Sequence, residues 1–413
     1  MRILVWSQYF WPENFHINEV SAALVEEGHQ VTVLTGKPNY PAGVIFPGYR
    51  AGGRVDEDYR GVTVRRIPLV PRGTGAFRLA LNYLTFIFSG YFYAGRTLKG
   101  RQFDAVFVYA PSPLLQALPA IRFARRAGIP LTLWVQDLWP EALEATGFIR
   151  NRTLLWLVGR LVRYIYRRSD VILAQSEAFI SRLTNYVDDP QKISFFPNSV
   201  DDRGFDQPGS SAANELARAM RSSFAVTFTG NIGQAQSIET IVDAAEALRA
   251  DGDVKFFIVG SGSRAGWLAE EIKRRGLVNI VLPGQFPKED MPVIMRDSSI
   301  LLLTLGSGVV GSYTVPSKLQ AYLAMGKPIV ASADGETARV VMDSKSGVVC
   351  KADDGKILAA AILNIKALAA PQREEMGRNG MTFFSQRFAL SRCVKRLTAI
   401  LEDSSRQFRS SRT

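Results

Sequence analysis

Histidine and cysteine are almost absent from this sequence of 413 residues: His16 and His29, Cys350 and Cys393 are all there are. Zinc sites draw three or four ligands from these residue types and the carboxylates, so a metal centre is not expected. Two lone thiols make no disulfide framework and suit a reducing compartment. A Ser-His-Asp mechanism would have to use one of two imidazoles. No zinc-finger spacing or aromatic RNA-binding signature occurs, which speaks against a nucleic-acid partner. No G-x-G-x-x-G follows the first apolar run, so a nicotinamide dehydrogenase is a poor reading. The opening "MRILVWSQYF" reads as a buried strand and lacks the charged start, long apolar core and small-residue cleavage site of a signal peptide. The expected location is cytoplasmic.

What is present is basic and strongly patterned. The formal net charge is +12, from 50 Lys and Arg against 38 Asp and Glu. Residues 1–200 hold 23 of the basic and 15 of the acidic residues. A surface of that sign attracts anionic lipid or phosphorylated substrates. Short apolar runs alternate with longer amphipathic ones: "RILVWSQ", "HQVTVLTG", "AVFVYA", "PLTLWVQD", "VILAQS" and "KISFFPNSVD" in one half. After a polar, linker-like stretch over Asp201–Asn214, the rhythm restarts with "FAVTFTG", "VKFFIVGSG", "NIVLPG", "SILLLTLG", "PIVASA" and "GVVCKA". This βαβ rhythm predicts two Rossmann-like, doubly wound parallel-sheet domains facing across a cleft. The expected bounds are 1–203, 215–385, and a C-terminal segment 386–413 returning towards the first domain.

Two segments have a membrane flavour. "FRLALNYLTFIFSGYFYAG" (Phe77–Gly95) approaches the length of a span, but Asn82, Ser89 and Gly90 interrupt it. A span, a helix buried in the first domain and a helix dipping into a membrane surface are the three readings. In "RNRTLLWLVGRLVRYIYRR", Arg160, Arg163 and Arg167 recur at helical spacing. They fit either a solvated helix face or contact with anionic headgroups.

The chemistry points to the second half. In "TGNIGQAQ", Gly230 and Gly233 follow a strand and precede a helical pattern, a shape that lets backbone N–H groups approach a phosphate. It lacks the lysine of an ATP-binding P-loop. Gly260 and Gly262 follow the next strand, and "GSYTVPSKLQAYLAMGKPIVAS" follows a third, with Ser317 and Lys318 at the start of a helix. Three such turns from one domain converge on one sheet edge and suit a phosphorylated ligand. The acidic clusters Asp56-Glu57-Asp58, Asp188-Asp189 and Asp353-Asp354 read as solvated loop charges.

The ordered set "GHQVTVLTGKPNYP", "ILAQSEAF", "FFPNSVD", "FTGNIGQAQSIETIVDAA", "FFIVGSGS" and "VPSKLQAYLAMGKPIVAS" resembles the successive signatures of family 4 glycosyltransferases over essentially the whole chain. "SQYFWPE", "VQDLWPEAL", "GNIGQAQ" and "VPSK" place the resemblance in the bacterial branch of fucosamine and colanic-acid-type transferases. It implies the GT-B fold, retention of anomeric configuration and no metal or other cofactor. The second domain would bind a nucleoside diphosphate sugar, expected to be UDP-linked. The first would bind a lipid-linked acceptor of the undecaprenyl diphosphate type, at the inner face of the cytoplasmic membrane.

Carried over position by position, the donor would meet Gly230, Asn231, Gly233, Gln236, Gly260, Gly262, Ser317, Lys318 and Glu336. Glu13, His16 and Asp137 would meet the acceptor, with Asp137 and Lys318 as the catalytic pair. Asp137 and Glu13 also fit helix-start roles, as does Glu336. The sequence departs from the family in one respect. The usual glutamate pair falls at Tyr313 and Ala321, and the usual arginine and lysine at Asn231 and Gln236. A nucleotide-sugar epimerase of the same fold and a non-catalytic partner protein are therefore the rival readings.

Overall fold

The computed structural model describes residues 1–145, 151–308 and 313–411. The chain divides into two compact units, Met1–Asn198 with Leu390–Thr413, and Ser199–Ala389.

The first unit is an eight-stranded sheet. Its strands are β1 (Arg2–Trp6), β2 (Gln30–Thr35), β3 (Val55–Tyr59), β4 (Val62–Arg66), β5 (Ala105–Ala110), β6 (Leu131–Val135), β7 (Val171–Ala174) and β8 (Ile193–Phe195). Their order is β3-β4-β2-β1-β5-β6-β7-β8. Every pairing is parallel except that of β3 with β4. Strands such as "AVFVYA" and "LTLWV" are buried along their whole length, as a sheet covered on both faces requires. One face packs under helix His16–Glu26 and the last helix, Leu390–Ser410. Leu390, Val394, Leu397 and Leu401 enter the same core as Ile3, Val5 and Val33. His29 joins in by facing Thr398 at 3.0 Å.

The second unit holds β9 (Phe224–Thr229), β10 (Val254–Val259), β11 (Ile280–Gly284), β12 (Ile300–Thr304), β13 (Ile329–Ser332) and β14 (Gly347–Cys350). Their order is β11-β10-β9-β12-β13-β14, all parallel. The polar stretch after Asn198 belongs to this unit, and Ser210 caps its first helix, Ser211–Met220. In each unit the chain winds outwards in both directions from a central pair, β1 and β5 or β9 and β12. Loops diverge at such a switch point and leave room for a ligand at the carboxyl ends of the strands.

One sequence expectation is corrected here. "VDEDYRGVTVRR" is a hairpin of β3 and β4, and Asp56 and Glu57 are strand residues. Asp56 pairs with Arg65 across the ladder, and Glu57 with the fully buried Arg66 at 2.7 Å. Acidic residues are poor strand formers, but a charged edge strand prevents further pairing. Asp188 pairs with Arg167 at 2.9 Å, while Asp189 and Asp354 cap helical turns. Asp353 binds the hydroxyl of Ser237 and the amide of Ser307.

Helix Ala76–Thr97 lies on the first sheet and buries Asn82, Phe86, Ile87, Gly90 and Ala94. Gly90 is needed there, since a Cβ would come within 2.9 Å of both Trp6 and Pro119. The other face leaves Phe77, Phe88 and Phe92 exposed. Among the described residues no helix is long and apolar enough to cross a membrane. Helix Arg152–Arg168 likewise exposes Leu154, Trp156, Leu157 and Leu161.

Candidate active site

In the second unit three turns lock together at the β9/β12 switch point. Gly230 leaves β9 with φ 113°, in a region that L side chains avoid. The turn after β10 presses against it. A Cβ on Gly260 would lie 1.9 Å from the Gly230 carbonyl oxygen, and one on Gly262 2.3 Å from that of Ile232. The amide of Ile232 donates to Ser261 O at 2.8 Å, and that of Arg264 to Ile232 O at 2.9 Å. The turn after β12 is tied in by the amide of Gly306 on Ala235 O at 3.0 Å. Gly230, Asn231, Gly233, Gln236, Gly260 and Gly262 are thus gathered in one place. Asn231 and Gln236 touch at 3.4 Å. Not every amide of this run is free for a ligand, because those of Ile232 and Gln236 already have backbone partners.

Lys318 completes the cluster. It sits in the first turn of helix Ser317–Ala324, beside the exposed Ser317. One turn later Tyr322 accepts the Thr229 amide at 2.9 Å, so the helix is pinned to the end of β9. The Lys318 ammonium therefore lies 3.5 Å above the Phe228 ring. Its Cε is 3.3 Å from where a Cβ on Gly230 would stand. Among the described residues it makes no hydrogen bond or ion pair. Burial without a counter-charge pushes it down to about 7. A cation at a helix start, where the dipole is unfavourable, is suited to a site that receives an anion.

Glu336 stands differently. It lies in helix Gly335–Asp343, is buried, and places both oxygens on Arg339 at 3.0 and 2.7 Å. The expected hydroxyl-binding role thus meets a carboxylate already paired.

In the first unit the carboxyl edge is a dense polar network. Glu13 is buried, and its carboxylate accepts the amides of Asn39 and Tyr40, each at 2.7 Å, and of Phe10 at 3.3 Å. Burial raises it to about 7 against the pull of those amides. It shapes the Asn39–Tyr40 turn, so the acceptor contact expected of it meets a carboxylate already bonded to backbone amides. His16 opens helix His16–Glu26 and is half-buried. Asp137 follows β6 and is half-buried. It accepts both the amide of Ser112 at 2.9 Å and its hydroxyl at 2.7 Å, and does not cap a helix. Trp139 donates to the same hydroxyl at 3.1 Å.

Three cationic or aromatic groups here were missed by sequence reasoning. The Arg72 guanidinium stacks 5.3 Å from the Tyr40 ring centre and 3.5 Å from the Tyr9 hydroxyl. Tyr83, whose proton is held more tightly by burial, hydrogen-bonds Tyr9 and lies within the fields of both Arg72 and Asp137. The Lys37 ammonium is buried and has no hydrogen-bond partner among the described residues. The only sequence signal of Lys37 and Arg72 is position, a few residues beyond a strand end, and Tyr83 lies within helix Ala76–Thr97. Among the described residues no group of acidic, His and Cys side chains could hold a metal ion.

Residues 14–199 match the family described as "Glycosyl transferase 4-like domain", and residues 223–367 that described as "Glycosyl transferases group 1". The chain is 24% identical to WcaI of Escherichia coli (strain K12), named for glycosyl transfer in colanic acid biosynthesis, over 91% of this chain and 92% of that one. It is 26% identical to WbjE of Pseudomonas aeruginosa, named as a glycosyltransferase, over 78% and 82%. Among solved structures, Anabaena Alr3699/HepE in complex with UDP aligns over 98% of this chain and 100% of that one, at TM-score 0.69 and 15% identity. The trehalose 6-phosphate synthase of Burkholderia multivorans aligns over 100% and 98%, at TM-score 0.71 and 14% identity. Two parallel-sheet Rossmann-like units, each matching its own half of one enzyme family, make this chain a GT-B glycosyltransferase of the family 4 type.

Proposed function

We propose that the enzyme moves a sugar, of the hexose or N-acetylhexosamine class, from a UDP-sugar to a lipid-linked saccharide, with retention, in bacterial surface polysaccharide synthesis. The observation that carries the reading is Lys318, an ammonium without a counter-ion among the described residues, beside three interlocked glycine turns. Those turns and Lys318 would hold the diphosphate. The bond from the sugar's anomeric carbon to the phosphate oxygen breaks, and the acceptor oxygen bonds to that carbon on the same face. The acceptor's proton passes to the departing phosphate oxygen. Positioning and charge stabilisation supply the rate, and no enzymic nucleophile is required. The polysaccharide setting rests on the names of the bacterial relatives, and the choice of UDP on the Anabaena protein's ligand.

The acceptor's lipid suggests work at the cytoplasmic membrane surface. Support comes from the exposed aromatic faces of helices Ala76–Thr97 and Arg152–Arg168 in a basic unit. Arg160 over Trp156 at 5.0 Å combines cation and ring in the way an anionic interface favours. The test is a thermal-shift panel of UDP-, GDP- and dTDP-sugars on the full chain, followed by transfer to a lipid-linked saccharide. UDP-sugars should raise the melting temperature, because a ligand bound only by the folded state stabilises it. Release of an altered sugar nucleotide without acceptor would replace this reading with an epimerase. Binding with no turnover would make the chain a non-catalytic partner.

A further inference from the structure

Asp353 is an exposed acid just beyond β14, in the turn that leads to helix Gly355–Ala367. The next residue, Asp354, caps that helix by accepting the amides of Lys356 and Ile357. The Asp353 carboxylate is therefore not spent on its own helix. It is spent on two other turns of the same unit. One oxygen accepts the hydroxyl of Ser237, where the turn after β9 ends. The other accepts the amide of Ser307, in the turn after β12, at 2.8 Å. These bonds, that of Ser237 first, hold the carboxyl below the ordinary carboxylate range, so it accepts them as an anion.

Both ends of the first bond sit in strained backbone. Asp353 has φ 61° and Ser237 φ 43°, a region that residues other than glycine seldom occupy. Ser237 precedes helix Ile238–Ala247 without capping it. Its hydroxyl lies 2.8 Å from that of Thr240 and gives its proton to Asp353. The turn that carries Asp353 is itself seated on that helix, since a Cβ on Gly355 would come within 2.4 Å of the Asp243 Cβ. The two turns it joins already meet elsewhere. The Gly306 amide reaches Ala235 O at 3.0 Å, and the Thr304 hydroxyl reaches Gln236 O. Asp353 adds a charged bridge to them from the end of β14. Turns that hold a ligand through their main chain gain affinity when they are fixed before it arrives.

We propose that Asp353 is a positioning residue of the donor site, whose carboxylate ties the turn after β9 to the turn after β12 and fixes the geometry in which they receive the diphosphate. The assignment rests on the donor role proposed above for those turns and adds the side chain that holds them together. Asp353 touches no substrate and acts through Ser237 and Ser307.

The test is a series of variants of the full chain, with UDP as the probe. At φ 61° glycine is the least strained residue, so Asp353→Gly removes both bonds and leaves the backbone its conformation. Asp353→Asn also tolerates that conformation and keeps one accepting oxygen of the two. By calorimetry, UDP should bind about five- to tenfold more weakly to Asp353→Gly, the size expected of charge-assisted bonds at an exposed carboxylate, and Asp353→Asn should lose less. The melting temperature of Asp353→Gly should stay within about 3 °C of the parent, because relief of strain offsets the lost bonds. In the free protein the amides of Gly306 and Ser307 should exchange with solvent faster in Asp353→Gly, while those of β9 and β12 stay protected. Ser237→Ala should weaken UDP binding in the parent and add little in Asp353→Gly, since both remove the same bond. Unchanged UDP affinity in Asp353→Gly would overturn the proposal. So would additive losses from the two substitutions. A fall of many degrees in melting temperature would make Asp353 a residue of the fold alone and overturn it too. If the parent bound no UDP while Gly306 and Ser307 still exchanged faster in Asp353→Gly, the donor named in the proposed function would fall and the bridge between the turns would stand.

Discussion

The carboxyl edges of the two sheets solve different problems. In the second unit the edge is nearly bare: glycine turns stacked at backbone distance, and one ammonium without a hydrogen-bond or ion-pair partner among the described residues. In the first the edge is crowded, with Glu13 on three amides, Asp137 on Ser112, and a cluster of Tyr9, Phe15 and Tyr40. A diphosphate is the same in every nucleotide sugar, so main-chain groups and one charge suffice to hold it. An acceptor saccharide is recognised by shape and hydroxyls, which takes side chains locked by their neighbours. The contrast teaches that the proposed donor edge is built from backbone turns and one charge, whereas the proposed acceptor edge is built from side chains held by one another.

The strongest way to break this contrast is Lys318→Ala. If the ammonium answers the leaving diphosphate, turnover should fall about a hundredfold or more, the loss seen when one donor to a developing charge is removed. Yet the unliganded protein should melt at the same or a higher temperature, since the variant no longer buries an unpaired charge. Near-normal turnover would remove Lys318 from the donor site. Replacing Arg160, Arg163 and Arg167 together by Gln should act on the other unit alone. Each basic residue near an anionic surface contributes about 1 kcal/mol at low salt. Arg167 contributes less, being paired with Asp188. Vesicle binding should therefore weaken by roughly ten- to a hundredfold. The gap between parent and variant should close as salt rises, with UDP-sugar affinity unchanged. Unchanged vesicle binding would leave those arginines as a solvated helix face.

Gly260→Ala sharpens the comparison next. Its methyl would meet the Gly230 carbonyl at 1.9 Å, backbone against backbone, with no flexible side chain to give way. Overpacking of this kind costs about 2–3 kcal/mol, read by denaturant unfolding, and UDP-sugar binding should weaken with it. Stability within about 0.5 kcal/mol of the parent would show that the turns are loose and not interlocked.

The ease with which these features could be read from sequence follows the same divide. The parallel strands were legible because "AVFVYA" and "ILLLT" are apolar throughout, the mark of a sheet covered on both faces. The glycine turns were legible because backbone approach demands glycine at fixed places. The hairpin of β3 and β4 was not, since "VDEDY" is acidic and its stability comes from Arg65 and Arg66 across the ladder. Glu13 illustrates a subtler limit. Its place after β1 was evident, but whether its oxygens face a ligand or the amides of Asn39 and Tyr40 depends on a turn 26 residues away. Arg72 carried no motif at all; its place over Tyr40 and beside Tyr9 is set by the fold.

The smallest effect tests the proposed donor edge most directly. Lys318 loses its proton near pH 7 in the free enzyme because burial disfavours its charge and nothing offsets that. A bound diphosphate favours the charged form and must raise the value, so binding above pH 7 takes up a proton. A UDP-sugar has no group of its own that titrates between pH 6 and 8, so the dependence belongs to the protein. Its dissociation constant should be nearly flat below pH 7 and should rise about tenfold by pH 8, measured by calorimetry in buffers of different ionisation heat. Lys318→Arg, always charged, should flatten the profile. In the free protein the sign reverses. The unfolded chain holds this proton up to about pH 10.4 while the folded one sheds it near 7, so this residue's contribution to stability grows as pH rises between the two. A flat binding profile in the parent enzyme would mean that the diphosphate is held by the backbone turns alone and that Lys318 does not touch it.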